Sequence, residues 1–411
     1  MTHTRYSCRG AVHSLIARGC WLQDALSFLC LGAMCFGGVD AAMGSETFHL
    51  TATGRGAHNG ASLSNAWSPG EANAASNQAS VVADDGRLGP GDTMMLYDDD
   101  GPIREGLVFQ NADVPGVPLT VCAGGGEDPV IDLSQSVRGA TWTEETGLGS
   151  NIWSTDFPAR SSDIRATWYN ADCWGVEEST VAGIDAAGEW LYSSAEKTYY
   201  IFATNAPNEY YVKLLVDIDG DHDGVDFSYC TGDAVLRGVT VRRVVRTGIR
   251  ASIIRRVVIA DCTVEHYCKG IFLYGRDASV IQDRYVVTNN IMRYGYTPAL
   301  SGALAIHARA KHVNICYNNI DGLANVGGAV GMHGGSILLQ NFIGDDGIAD
   351  SMINHNTLCH VKLTGIAGFE SNTNAVGGRD VNLEIAYNHI SSESNDMGPP
   401  ITTVPTLVPQ R

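Results

Sequence analysis

The sequence is poor in charge, in proline and in cationic side chains. Charged residues make up 18% of 411 positions, proline occurs 13 times, and 27 Lys and Arg stand against 45 Asp and Glu, a net charge of −18. A chain this acidic excludes nucleic acid as a partner. Apolar residues with a 3.6-residue period are missing from the repetitive part, as is leucine at fixed offsets, which excludes helical and leucine-rich repeats. No CxxC pair occurs among the 11 cysteines, and their scatter excludes a disulfide framework. The one long apolar run, "ALSFLCLGAMCFGG" (residues 25–38), is too short to span a bilayer.

That run follows Arg5, Arg9 and Arg18 and precedes "VDA", with small residues at the cleavage positions. Residues 1–41 therefore read as a secretory signal, and the protein is expected to be secreted, with no stable membrane insertion after signal removal. Gly is abundant, at 47 residues, which suits strands joined by many turns. Five of the seven tryptophans (Trp142, Trp153, Trp168, Trp174 and Trp190) fall in residues 138–224, a strand-containing insertion whose rings serve either core packing or a sugar-stacking platform.

Residues 225–391 carry a repeat. One polar position recurs as Cys262, Asn289, Asn318, Asn356 and Asn388, at spacings of 27, 29, 38 and 32 residues. Each is followed two residues on by an aliphatic: Val264, Ile291, Ile320, Leu358 and Ile390. Short strands at a variable repeat length describe a solenoid whose turns swell into loops. In a parallel coil, equivalent residues stack at about 4.8 Å, so the asparagines can hydrogen-bond along the stack. The fold class expected is all-β, a right-handed parallel β-helix solenoid with the Trp-rich insertion. Residues 42–137 form its entry region and residues 392–411 a disordered or truncated tail.

The segments "PGDTMML", "GLVFQNADVPGVPLTV" and "GGEDPVIDLS", in that order, resemble the N-terminal region of secreted β-helix proteins of the pectate-lyase-like superfamily. The resemblance implies activity on polysaccharides. It also implies Arg or Lys as a lyase base, for which Lys269 and Lys362, flanking the repeat glycines, are alternatives.

Four segments share one pattern: "GIFLYG" from Gly270, "GALAIH" from Gly302, "GAVGMH" from Gly328 and "GIAGFE" from Gly365. Their sixth positions are Gly275, His307, His333 and Glu370, so His307, His333 and Glu370 are expected to stack on neighbouring coils. With Phe272, Tyr274, Leu304 and Ile306 inward, the stack projects outward beside a floor of small residues. "GIRAS" argues the opposite phase, since Arg250 would otherwise be buried. Histidine titrates near neutrality and can act as acid or base. Arg309, two residues beyond His307, can neutralise a uronate carboxylate.

"GDDGIAD" resembles the paired-aspartate segment of polygalacturonases and makes Asp346, with Glu370, the pair for a hydrolase. In "VDIDGDHDGVDF", Asp219, Asp221 and Asp223 alternate as in a calcium loop, but Cys230 occupies the place of the bidentate Glu, leaving a looser Ca²⁺ site as the expectation. Seven arginines from Arg237 to Arg256 form a patch able to hold carboxylates or sulfates. These features describe a monomer acting on an acidic polysaccharide or oligosaccharide, as lyase or hydrolase. A non-catalytic glycan-binding β-helix is the other reading.

Overall fold

The computed structural model describes residues 45–79, 85–110, 114, 116–137, 139–157, 166–170, 173–211, 214–217, 222–275, 284–295, 304–321, 336–341, 350–360, 365–370, 383–391 and 401–403. The expected signal segment lies outside these residues, as does all of the tail but 401–403. Among the described residues no helix is long and apolar enough to cross a membrane.

The chain winds as a parallel β-helix with three faces. The first is a nine-stranded sheet running from Thr47–Leu50 through Thr93–Leu96, Leu119–Ala123, Asp233–Arg237, Arg256–Ala260, Arg284–Thr288, Val313–Cys316 and Met352–Asn354 to Glu384–Ala386. The second and third belong to one 13-stranded sheet, because the long strands Thr240–Ser252 and Thr263–Tyr274 bend and serve both. The second face continues through Ile291–Arg293, Asn319–Asp321, Thr357–Cys359 and His389–Ile390, and the third through Leu304–Arg309, Ser336–Asn341, Ile366–Glu370 and Ile401–Thr403.

Alternation along each strand sends one residue set inward, and equivalent residues stack into three columns. The first column is Phe48, Met94, Val121, Leu236, Ile259, Val287, Ile315, Ile353 and Ile385. The second is Ile131, Val241, Val264, Met292, Ile320, Leu358 and Ile390. The third is Leu107, Val225, Ile249, Ile271, Ile306, Ile337 and Ile366. Stiff β-branched side chains dominate because they pack on a pleated surface with little rotamer freedom to lose.

Among the described residues of the later coils, three kinds of corner are each marked by a left-handed residue. Asp261, Asn289, Tyr317, His355 and Tyr387 (φ 54–58°) mark the first, with Gly238. Arg243, His266, Tyr294 and His360 mark the second, and Ile253, His312 and Asp350 the third. The left-handed conformation normally disfavours a side chain, so the packed columns on either side must hold these residues in place.

Directly after the first corner lies the asparagine ladder. Its members are Cys262, Asn290, Asn318, Asn356 and Asn388, at separations of 28, 28, 38 and 32 residues. Asn289, the residue expected in this slot, is instead the left-handed corner one position earlier. The paired aliphatic is accordingly Met292, fully buried, while Ile291 is 43% exposed. Two consecutive asparagines made the slots indistinguishable by residue type. Asn318 shows the ladder's chemistry: its Oδ1 accepts from Asn290 N at 3.0 Å and Asn290 Nδ2 at 2.9 Å. Its Nδ2 donates to Val287 O, Cys316 O and Asn356 Oδ1 at 2.9–3.1 Å.

Residues 134–217 leave the solenoid to form two further sheets. One joins Cys173–Trp174, Thr167–Tyr169, Leu214–Asp217 and Ser134–Ser136; the other joins Val176–Glu177, Glu189–Ser193, Thr198–Phe202, Ile152–Asp156 and Thr143–Glu144. Trp168 and Trp190 are buried, and Trp142 and Trp153 pack against the core around Tyr199 and Tyr211. Trp168 and Trp190 thus serve core packing.

Candidate functional site

The third face carries the candidate site. Ile249, Ala251, Ile271, Leu273, Ile306 and Ala308 are all inward and at most 1% exposed. The intervening residues therefore point out, as two rows in register. One row is Asp226, Arg250, Phe272, His307 and Leu338; in the other, Ser252 pairs Tyr274 and Tyr274 pairs Arg309.

This register corrects two sequence expectations. Phe272 and Tyr274 face outward, the phase that "GIRAS" required. His307 is in register with Leu338, and Leu338 with Ala367, so Glu370 is not in its row, and His333 lies outside the described residues. Glu370 is instead in register with Asn341.

The slip has a steric origin. A Cβ on Gly248 would sit 2.7 Å from Gly270 O, and one on Gly270 would sit 2.5 Å from Ala305 O. The coils approach closely at this bend, and glycine fills it until Ala305 takes the slot. Aligning on Gly302 misses that slot by three residues. An irregularity in register between Leu304 and Ile306 adds a further offset toward Ser336–Asn341.

The outward side chains converge on Phe272. Lys269 Nζ lies 5.0 Å from its ring centre, Arg309 Cζ 5.7 Å, the His307 ring 4.9 Å and the Tyr274 ring 5.8 Å. Arg309 is also 5.9 Å from the Tyr274 ring. The Lys269 and Arg309 separations are cation–π distances, worth about 0.5–2 kcal/mol each depending on desolvation. Arg309 Nε donates to His307 Nε2 at 3.0 Å. A nitrogen accepting from a guanidinium carries no proton, so His307 is the neutral tautomer protonated on Nδ1. His307 is buried, while Phe272, Tyr274, Lys269 and Arg309 are half-buried.

Arg250 borders the patch, donating to Ser252 Oγ at 3.1 Å and to Asp223 Oδ2 at 3.3 Å. Asp223 is buried, and Arg246 approaches its other oxygen at 3.7 Å. Burial pushes the Asp223 carboxyl above the usual range, against the opposing pull of Arg246 and Arg250. Burial likewise pushes Lys269 below its ordinary value, helped by Arg309 and Arg250 and opposed by Cys268 and Asp223. Three cations thus surround two aromatic rings on a strongly acidic chain. Such a patch can stack a sugar ring and hold a carboxylate bidentately.

Of the sequence candidates, the structure brings His307 and Arg309 together. His333 and Asp346 lie outside the described residues, as does the Glu370 side chain. Asp219 and Asp221 also lie outside them, and Asp223 faces guanidinium groups. The arginine run does not make one patch. Arg242 and Arg243 converge with Arg104 on buried Asp132, Arg255 binds Asp233, and Arg237 meets Asp261 at 3.5 Å. The reading that placed Phe272 and Tyr274 in the core overlooked both as site residues, although Arg250 in the same row carried the signal for their facing.

No protein-family model matches the chain, and no curated protein matches its sequence. Among solved structures, the complex of XylC with xylose aligns at a TM-score of 0.53 and 13% identity, covering 83% of this chain and 62% of that one. The chain thus spans less than two thirds of that protein's length. A glycoside hydrolase aligns at a TM-score of 0.52 and 11% identity, covering 79% of this chain and 80% of its own. At such identities the likeness speaks to architecture alone, and it agrees with the strand register: the chain is a parallel β-helix.

Proposed function

We propose that the third-face patch binds an acidic polysaccharide and that the protein cleaves it by β-elimination. The observation that carries this reading is the convergence of Lys269, Arg309 and His307 on the outward ring of Phe272. A sugar ring rests on Phe272 and Tyr274, and its carboxylate is held by Arg309 with Arg250. Neutralising that carboxylate acidifies the proton on C5. Lys269, its pKa lowered from the ordinary value by burial, takes this proton from its deprotonated fraction; the C5–H electrons form the C4–C5 double bond, and the C4–O bond breaks with its electrons on the departing oxygen, which takes a proton from water. His307 is a positioning residue, fixing Arg309 through Nε2. A polymeric substrate fits an exported monomer, which is the localisation and state we propose. The carbohydrate proteins among the structural neighbours support sugar as the ligand class.

The test incubates the full chain with polygalacturonate, alginate and glycosaminoglycans, with and without EDTA, reading unsaturated-product absorbance and reducing ends. The expectation is that both rise together, that Lys269→Ala abolishes the absorbance while retaining binding, and that Arg309→Ala weakens binding. Reducing ends without absorbance would mean hydrolysis, and binding with neither signal would mean a non-catalytic module; either result overturns the elimination mechanism.

A further inference from the structure

On the second face, away from the patch, Asp321, Cys359 and His360 bring a carboxylate, a thiol and an imidazole together, with donor atoms all within 4.8 Å of one another. We propose that these three residues bind one zinc(II) ion, which clips neighbouring coils together.

The backbone builds this cluster without loops. Asp321 and Cys359 end equivalent strands on adjacent coils and are in direct register. They follow the inward pair Ile320 and Leu358, so alternation points both outward. His360 comes next and is the left-handed corner of its coil, φ 53°. That corner turns its imidazole back toward the preceding coil, where Nδ1 lies 2.8 Å from Asp321 Oδ1. Cys359 Sγ lies 3.6 Å from Ile320 O, on the same side. All three side chains are half-buried, with His360 30% and Asp321 32% exposed. The site is thus reachable by a hydrated ion yet partly shielded.

The donor set selects the metal. Thiolate and imidazole disfavour calcium and magnesium, which require oxygen, whereas one sulfur, one nitrogen and one oxygen suit zinc. Zinc bonds of about 2.3 Å to sulfur and about 2.0–2.2 Å to nitrogen and oxygen place tetrahedral donors roughly 3.3–3.7 Å apart. His360 Nδ1 and Asp321 Oδ1, at 2.8 Å, sit somewhat closer than that and no pair of donors is farther apart than 4.8 Å, so small side-chain rotations bring the three to an ion whose shell a water completes. Arg293, next in register before Asp321, gives its guanidinium to Glu265 and so does not oppose an ion. The same corner two repeats earlier holds His266 stacked on Tyr294 at 4.9 Å, an aromatic contact that joins coils where the Asp–Cys–His set does so here.

The experiment uses the full chain, stripped with EDTA and dialysed. Zinc(II) is titrated by calorimetry, cobalt(II) is followed by its thiolate charge-transfer absorption, and melting is recorded with and without zinc. The expected result is one ion per chain, a cobalt–thiolate band, and a higher melting temperature with zinc. Cys359→Ser should lose the band and weaken zinc at least tenfold, as should His360→Ala; Asp321→Asn should weaken it while retaining the band. Circular dichroism of each metal-free variant shows that it folds. No uptake by the wild type, or uptake and a cobalt band unchanged in Cys359→Ser, would overturn the assignment and leave a His360–Asp321 hydrogen bond alone.

Discussion

Replacing Asn318 by alanine should disrupt the ladder at a buried central rung. Asn318 is 1% exposed and Asn290 is fully buried. Among the described residues, the substitution removes the oxygen that the Asn290 amide donates to, at 3.0 Å, and one of two acceptors of Asn290 Nδ2. It also withdraws a donor from the carbonyls of Val287 and Cys316. Asn356 Oδ1 suffers less, because the Asn318 backbone amide still reaches it at 3.0 Å. A buried donor left without an acceptor costs about 1–3 kcal/mol. The Cys316 carbonyl keeps the Asn289 amide at 3.3 Å, so adding only Val287 O at the low end of that range gives about 2–4 kcal/mol. For a chain of this length that corresponds to a fall in Tm on the order of 5 °C. Because a solenoid can open coil by coil, native-state amide exchange is the sharper assay. The Asn290 amide should lose at least about thirtyfold of its protection, while amides of the 134–217 sheets keep theirs, since distant sites respond independently. A loss below about 1 kcal/mol, with Asn290 protection unchanged, would refute the claim that this side chain satisfies the corner.

Other predictions follow from the same register. Met292→Ala should cost about 2–5 kcal/mol by opening a cavity in the second column, whereas Ile291→Ser, at an exposed position, should stay within about 0.5 kcal/mol; urea denaturation separates the two. Cys262 ends the ladder with a thiol pointed at Leu236 O and Ala260 O, at 3.8 and 3.2 Å. Burial pushes that thiol up to about 12, so it remains protonated and a weak donor. Cys262→Asn should therefore extend the ladder and stabilise by about 1 kcal/mol in the same denaturation experiment. Lys269 has a folded pKa below its unfolded value, so the folded chain binds fewer protons and stability rises with pH between the two values. If Lys269 is the base, product formation rises along the same limb toward alkaline pH, and Lys269→Arg, which stays charged, should remove that limb from the pH–rate profile; a limb that persists in the variant argues for another base.

Much of the solenoid was readable from residue types alone, because Cys262, Asn318, Asn356 and Asn388 occupy a slot with one chemical task. The facing of the third-face strands was harder. Phe272 and Tyr274 look like core residues by hydrophobicity, and only their row partners Arg250 and Arg309 show them pointing outward. Glycine was a poor guide to register there, because it marks close approach between coils and Ala305 meets that need nearly as well. Lys269 was legible as a candidate base only through family resemblance. Its displaced pKa arises from Arg250 and Arg309 on neighbouring coils as well as from burial, and no local pattern records that. The Asp321–Cys359–His360 cluster was invisible for a related reason: 39 residues separate His360 from Asp321, and only the coil length brings them together.

The ladder is directional. Asn290 takes the oxygen of Asn318, Asn318 that of Asn356, and Asn356 that of Asn388, so each corner is completed by the coil after it. The rule refers to no absolute position, only to a successor. A chain built on it can gain or lose a whole coil by duplication or excision without rewriting any remaining partnership. Its architecture is therefore copied by recursion, and a new binding face can arise by repeating an old one and changing only the side chains that point outward.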